Sequence, residues 1–300
     1  MAFEPPQRLV QALGESPDDA ERDGTAGWLE KLPQTAQEAV SRRELTVERV
    51  QAPGGRSSLV VLVRRPDGTP AVLKLAPPAA QPGLEAAALA HWDGWGACQL
   101  LEHGEDGALL LERLHADVSL RSLPEAKALL EATGTVRRLW VAPPASHAFE
   151  TVEVRTARRA TALESADDSV RPLADAALAA RSALVADASE AFLLHGAFRQ
   201  GKVLAGDRAP WLTVGPDPVV GERAYDLAPL VLDRLDDLVA ASSGAATARR
   251  RVAKLADSLE VDRERLRGWT LFRATETAVR ALRTNHPRQA EPLLELASWL

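Results

Sequence analysis

Leu193-Leu194-His195-Gly196-Ala197-Phe198-Arg199-Gln200-Gly201-Lys202-Val203-Leu204, continued by Trp211-Leu212-Thr213-Val214-Gly215-Pro216-Asp217-Pro218-Val219-Val220-Gly221-Glu222-Arg223-Ala224-Tyr225-Asp226-Leu227-Ala228, is the stretch that decides the fold. Five glycines (196, 201, 206, 215, 221) and three prolines (210, 216, 218) fall between residues 195 and 225. Such spacing predicts a loop-rich, strand-poor segment, its backbone released at Gly and stiffened at Pro.

The flanks differ on the two sides. From Asp226 onward the chain reads as helical, with breaks near Gly244 and His286-Pro287. Residues 124–140, 151–165 and 172–187 also carry helical patterns, the first opened by Pro124 and Glu125. Further upstream the period shortens to that of strands. Residues 45–51, 59–65 and 71–75 are strand-like, and Arg65-Pro66-Asp67-Gly68-Thr69 forms a hairpin turn between the last two. A helix over 83–92 and two apolar runs, 98–102 and 108–112, follow. This order predicts an α+β fold of two lobes: a small antiparallel β N-lobe with one main helix, then a larger, mostly helical C-lobe. The boundaries read as a poorly ordered leader over 1–25, an N-lobe over 26–114 and a C-lobe over 115–300. A loose helical spacing also covers 28–40, with Pro33 placed like the first residue of a helix turn.

Composition narrows the function classes. A chain of 300 residues with 46% hydrophobic and 26% charged residues is that of an ordinary globular protein. No apolar run reaches the roughly 20 residues that span a bilayer, and the first residues lack the pattern of a signal peptide. A cytoplasmic location and no membrane partner are expected. Cys98 is the only cysteine, so an internal disulfide is impossible and a cysteine-based zinc site is excluded. A net charge of −6 argues against a nucleic-acid partner. The cluster Arg249-Arg250-Arg251 reads as a solvated helix face. The tryptophans read as packing anchors.

Only five lysines occur (31, 74, 127, 202, 254), which singles each one out. Lys74 lies within the apolar strand Ala71-Val72-Leu73-Lys74-Leu75. A buried ammonium there needs a partner, and Glu85 on the next helix is the candidate; an edge-strand lysine reaching solvent is the alternative. Pro53-Gly54-Gly55-Arg56-Ser57-Ser58, between the first two strands, could bring backbone N–H groups to phosphate oxygens. A plain hairpin turn is its alternative.

Taken together, His195-Gly196 with its sequel, Gly54-Gly55-Arg56-Ser57-Ser58, Lys74, Glu85 and Leu109-Leu110-Leu111-Glu112-Arg113-Leu114 resemble the aminoglycoside phosphotransferase-like kinases. The likeness is to their streptomycin 6-kinase and hydroxyurea phosphotransferase branch, and it runs from about Trp28 to the end. It implies a protein-kinase-like fold and a nucleotide held by Gly54, Gly55, Arg56, Ser57, Ser58, Lys74, Glu85, Glu112 and Lys202. The active pattern of that family is His-Gly-Asp-Leu-His-x-x-Asn followed by Ile-Asp-Pro. Its first Asp serves the acceptor hydroxyl as base, while the Asn and second Asp hold magnesium. Here the base position is Ala197, the Asn position is Lys202 and the second Asp position is Gly215.

A methyl group accepts no proton, and a base of that kind contributes about 10²–10⁴ in rate. Magnesium wants hard oxygen ligands; Gly215 offers no side chain and Lys202 offers a positive charge. With Arg199 at a family histidine position, the matched positions are about four charge units more positive. The resemblance thus implies a pseudokinase with no catalytic or metal-ligating residues. Its expected ligand is ATP, another nucleotide or an anionic small molecule taken without magnesium, or else a protein partner. Two other readings stand beside it. One is an ATP-dependent phosphotransferase on a small-molecule hydroxyl with a rebuilt site, using Asp217, Glu222 or Asp207. The other is a kinase fold with different chemistry through Lys74, Lys202 or Arg199. Lys202 could also pair with a carboxylate such as Glu222.

Overall fold

Alternation along the strands sets the first half of the molecule. In the computed structural model, which describes residues 3–15 and 19–300, strands β1 (Thr46–Val50), β2 (Leu59–Arg64), β3 (Pro70–Leu75), β4 (Leu100–His103) and β5 (Leu109–Glu112) form one sheet. Its order is β1-β2-β3-β5-β4, with every neighbouring pair antiparallel. Leu59, Val61 and Val63 of β2 and Ala71, Leu73 and Leu75 of β3 are buried on one face, as the two-residue period of a strand requires. The turn between them closes through Gly68, whose N–H donates to Arg65 O at 2.8 Å with φ at +83°.

The buried face is covered by two helices that precede the sheet. α1 (Gln7–Gly14) contributes Leu9 and α2 (Asp19–Arg42) contributes Leu32, Ala36, Ala39 and Val40; Phe3 joins the same cluster. Within the leader expected to be poorly ordered, residues 7–14 and 19–25 are helical, while 3–6 and 15 are not. Its Pro and acidic content conceals two apolar anchors, Phe3 and Leu9, 2% and 0% exposed. Residues 1, 2 and 16–18 of that leader lie outside the described residues. Pro33 sits inside α2, not at its opening. α3 (Pro82–Trp92) is the one helix expected between β3 and β4, with Pro at its first position.

The chain divides into two compact units, Met1–His115 with Gly206–Pro210, and Ala116–Ala205 with Trp211–Leu300. The excursion of 206–210 into the first unit was not legible. Arg208 explains it: its guanidinium donates to Gly94 O at 2.7 Å and Ala97 O at 3.0 Å and pairs with Glu112.

β6 (His115–Ser119) leads into the second unit, which holds α4 (Glu125–Leu139), α5 (Val152–Glu164), α6 (Arg171–Ala186), α7 (Arg223–Val231), α8 (Leu235–Ala240), α9 (Gly244–Leu259), α10 (Arg263–Arg283) and α11 (Pro287–Ser298). Four short strands interrupt the helices. β7 (Phe192–Leu194) pairs antiparallel with β10 (Val219–Gly221), and β8 (Val203–Ala205) pairs with β9 (Leu212–Thr213). Their two or three residues each are too few for a visible period, so the segment read as loop. α10 runs through the core, where Trp269 stands edge-on to Tyr225 and Phe272, centroids 5.2 and 6.0 Å away. Such pairs contribute about 0.5–1.5 kcal/mol beyond burial. Thr151 caps α5 by accepting from the Val154 N–H, and Asp262 caps α10 by accepting from the Arg265 N–H.

Two surface expectations need correction. Arg251 is buried, not solvated: it pairs with Glu125 at 2.6 Å and donates to Val231 O and Asp233 O. Trp95 is 63% exposed and does not anchor packing as Trp92 and Trp269 do. No helix among the described residues is long and apolar enough to cross a membrane.

Candidate functional site

In the first unit the strand period places Lys74 on the face opposite Leu73 and Leu75, away from α1 and α2. Its ammonium donates to both Glu85 oxygens, at 2.7 and 2.5 Å, with side chains 13% and 6% exposed. The pairing expected from sequence is thus present, and the edge-strand alternative is not. Cys98 is buried near this pair; burial foremost, then the Glu85 charge, pushes its thiol pKa up to about 12, so the thiol is unreactive at neutral pH.

The other sequence-predicted nucleotide residues in this unit have partners of their own. Gly54 takes φ +74°, and a Cβ on it would come within 3.0 Å of Gln51 O and 3.1 Å of the Pro6 ring. Only glycine suits that turn. Arg56 pairs at 3.2 Å with Glu15, at the end of α1, and Ser58 is buried. Glu112 accepts from the Gln99 N–H at 2.9 Å and from Arg208 at 2.9 and 3.2 Å.

The second unit holds the loop that carried the family resemblance. Asp226, fully buried on α7, accepts from the His195 N–H at 3.1 Å, the Gly196 N–H at 2.8 Å and Trp140 Nε1 at 3.2 Å. Burial raises the Asp226 pKa, and these three donors oppose the rise. Asp233 does similar work further along, accepting from the Gln200 N–H at 2.6 Å. The backbone at 195–200 is therefore clamped at both ends by carboxylates.

At the three altered positions, Ala197 presents a methyl group and Gly215 lies at φ +58°. The Lys202 ammonium donates to Gly215 O at 2.6 Å. Lys202 thus bridges the two positions that the resemblance assigns to metal ligands. A methyl group, an ammonium and a glycine are not a donor set for a hard divalent cation, and the residues present do not fit magnesium at these positions.

The carboxylates expected as substitutes, Glu222, Asp217 and Asp207, are engaged elsewhere. Glu222, the alternative partner for Lys202, is held by Arg265 at 2.5 and 2.7 Å and by Trp269 Nε1 at 2.6 Å. Asp217 is pinned through its N–H to His195 O, through its carbonyl to Arg155, and through its carboxylate to Arg155 at 3.1 Å. Asp207 lies in the first unit, 2.8 Å from His115 Nε2. Sequence reading missed Arg155, Arg208 and Asp233; apart from Glu150, close to Arg155 in sequence, their partners lie roughly 30 to 110 residues away, beyond any local pattern.

His195 is fully buried, with Nδ1 accepting from the Ala197 N–H and Nε2 facing Val214 O, both at 3.3 Å. Burial first, then the Lys202 charge, lowers its pKa well below the ordinary value. The unfolded chain takes up a proton near pH 6.5 that the folded chain refuses. Stability from this group is therefore complete above about pH 6.5 and is lost as pH falls, by at most about 1.4 kcal/mol per unit. Asp226 and Asp233, raised by burial, work in the opposite sense, so the test compares variant with parent. Urea unfolding at pH 7.5 and 5.5 should show a smaller pH-dependent loss in His195→Gln than in the unmodified protein. Equal losses would contradict the assignment.

A β sheet with one helix, followed by a helical unit built around a clamped His-Gly loop, defines a kinase-like fold. Aminoglycoside phosphotransferase APH(4)-Ia shares it with a TM-score of 0.62 over 88% of this chain and 97% of that one, at 16% identity. The chain belongs to the aminoglycoside/hydroxyurea antibiotic resistance kinase family, whose family model matches residues 43–285. It is 34% identical to a streptomycin 6-kinase of Streptomyces glaucescens over 262 residues, 84% of this chain and 83% of that protein. It is likewise 34% identical to a hydroxyurea phosphotransferase of Kitasatospora aureofaciens over 268 residues, covering 85% and 75%.

Proposed function

We propose that this chain is a non-catalytic member of its family, a pseudokinase that binds a nucleotide or another anionic small molecule without magnesium. One observation carries the reading: Lys202 Nζ lies 2.6 Å from Gly215 O, so a fixed positive charge stands where the family pattern has metal ligands. With Ala197 beside it, the loop has neither a base for an acceptor hydroxyl nor oxygen ligands for a metal. The clamp by Asp226 and the Lys74–Glu85 pair persist, which fits a binding role kept after the chemistry was lost. A cytoplasmic location accords with a nucleotide ligand.

A second reading, an ATP-dependent phosphotransferase on a small-molecule hydroxyl, is favoured by the relatives, which are named as kinase and phosphotransferase. It requires a base and a metal ligand that positions 197, 202 and 215 do not supply. Thermal unfolding with ATP separates the readings. Ligand at a hundredfold excess over its Kd should stabilise the protein by about 2.7 kcal/mol. We expect that stabilisation to be as large in chelator as in magnesium. Stabilisation seen only with magnesium would contradict the proposal.

A further inference from the structure

Pro53-Gly54-Gly55-Arg56-Ser57-Ser58, the turn between β1 and β2, is touched by the leader at both ends of α1. Pro6 is the N-cap of α1, and its carbonyl accepts from the Leu9 and Val10 N–H groups at 2.9 and 3.2 Å. Its ring faces Gly54: a Cβ there would stand 3.1 and 3.4 Å from Pro6 Cγ and Cβ. At the other end of the helix, Glu15 Oε2 lies 3.2 Å from Arg56 Nη2. The helix between these contacts is fixed to the sheet. Leu9 is fully buried and Phe3 nearly so, in the cluster that holds Leu59, Val61 and Leu73. Leu13 of α1 and Val50 at the end of β1 pack on the same cluster.

Charge gives the second contact a direction. Arg56 is the only charged residue from Gln51 to Ser58, so an anion taken by this turn meets its guanidinium first. Glu15 already engages one terminal nitrogen of that group. A carboxylate oxygen and a phosphate oxygen offer a guanidinium the same thing, an anionic acceptor at hydrogen-bond distance, and a bidentate phosphate needs two of its nitrogens. The leader's other charges before residue 16, Glu4 and Arg8, are exposed and opposite in sign, so they offset each other and leave Glu15 unbalanced. Glu48 on β1 is taken by Arg64 and Arg113. The two side chains of the Arg56–Glu15 pair are 55% and 35% exposed. Water screens such a pair, which makes it a contact that a ligand can exchange. Glu15 follows the last residue of α1, so its side chain can leave Arg56 while Phe3, Pro6 and Leu9 stay packed.

We propose that Glu15 is a built-in competitor for the anion site of the β1–β2 turn, holding Arg56 until a phosphate group of a nucleotide displaces it. The leader then sets how tightly the turn takes phosphate. This is a regulation of the binding role proposed above and rests on that role.

The test titrates ATP into the full chain by calorimetry, in chelator and at low salt. Glu15→Gln should bind ATP about two- to fivefold more tightly, the range that an exposed ion pair commands. The gain should shrink in about 0.5 M salt, where exposed charges are screened. Arg56→Gln should weaken ATP binding, and in its background Glu15→Gln should add nothing, because the competitor has lost its target. Glu4→Gln removes a leader charge elsewhere and should leave ATP affinity unchanged. Glu15 is partly exposed and lies outside the core, so these variants keep the fold. Equal ATP affinity in Glu15→Gln and the unmodified chain would overturn the competitor and leave the binding role standing. A gain that persists without Arg56, or that Glu4→Gln reproduces, would do the same. Absence of ATP binding in every variant would overturn both.

Discussion

Asp226→Ala is expected to lower the unfolding free energy by about 3–5 kcal/mol, since each buried donor it strands costs roughly 1–3 kcal/mol. Three donors lose their acceptor at once: the N–H groups of His195 and Gly196 and the Trp140 indole. The site is fully buried, and the truncated side chain leaves a space of about one or two waters, which recovers part of the loss. Against a total stability of about 5–15 kcal/mol this is a large fraction, visible as a fall in Tm of about 10 °C or more. Asp226→Asn should be nearly as damaging. An amide offers one oxygen, and its NH₂ would face a backbone N–H. A loss below about 1 kcal/mol in the Ala variant would show that the loop holds its shape without this carboxylate.

Lys74→Ala is the second large effect, at about 3 kcal/mol or more, because it leaves the Glu85 carboxylate buried without its cation. The pair is 13% and 6% exposed, so solvent screening offers little relief. Removing both charges with apolar groups of similar volume, Lys74→Met with Glu85→Leu, should recover most of the loss. A double-mutant cycle read by urea unfolding gives the coupling directly, expected at about 1–3 kcal/mol. A coupling near zero would mean that the two charges stabilise the lobe independently.

The parts of the fold that were legible in the sequence are those with a clear period. β2 and β3 are apolar runs parted by a Pro-Asp-Gly turn, α3 opens on a proline, and the break at His286-Pro287 parts α10 from α11. The parts that were not legible have a physical reason. β7 through β10 are two or three residues long, shorter than the window any periodicity needs. α1 was hidden because its anchor Leu9, like Phe3 just before the helix, sits among prolines and polar residues. Arg251 looked solvated within a run of three arginines, and only the tertiary fold places Glu125 opposite it.

For the candidate site, residue identity was readable and partnership was not. Lys74 and Glu85 could be paired in advance, because a buried ammonium must find a carboxylate and the next helix carried one. For Lys202 a carboxylate partner such as Glu222 was only the alternative reading, and it donates to a backbone carbonyl while Arg265 and Trp269 hold Glu222. Sequence distance conceals such competition among partners.

The central claim is that Ala197, Lys202 and Gly215 leave this chain without phosphoryl-transfer chemistry. ADP release from ATP tests it most directly, measured with magnesium and a panel of hydroxylated acceptors that includes aminoglycosides. The unmodified protein is set beside the variant Ala197→Asp, Lys202→Asn, Gly215→Asp. The account predicts no magnesium- and acceptor-dependent release by the unmodified protein. Magnesium-dependent turnover of an acceptor by the unmodified chain would contradict it.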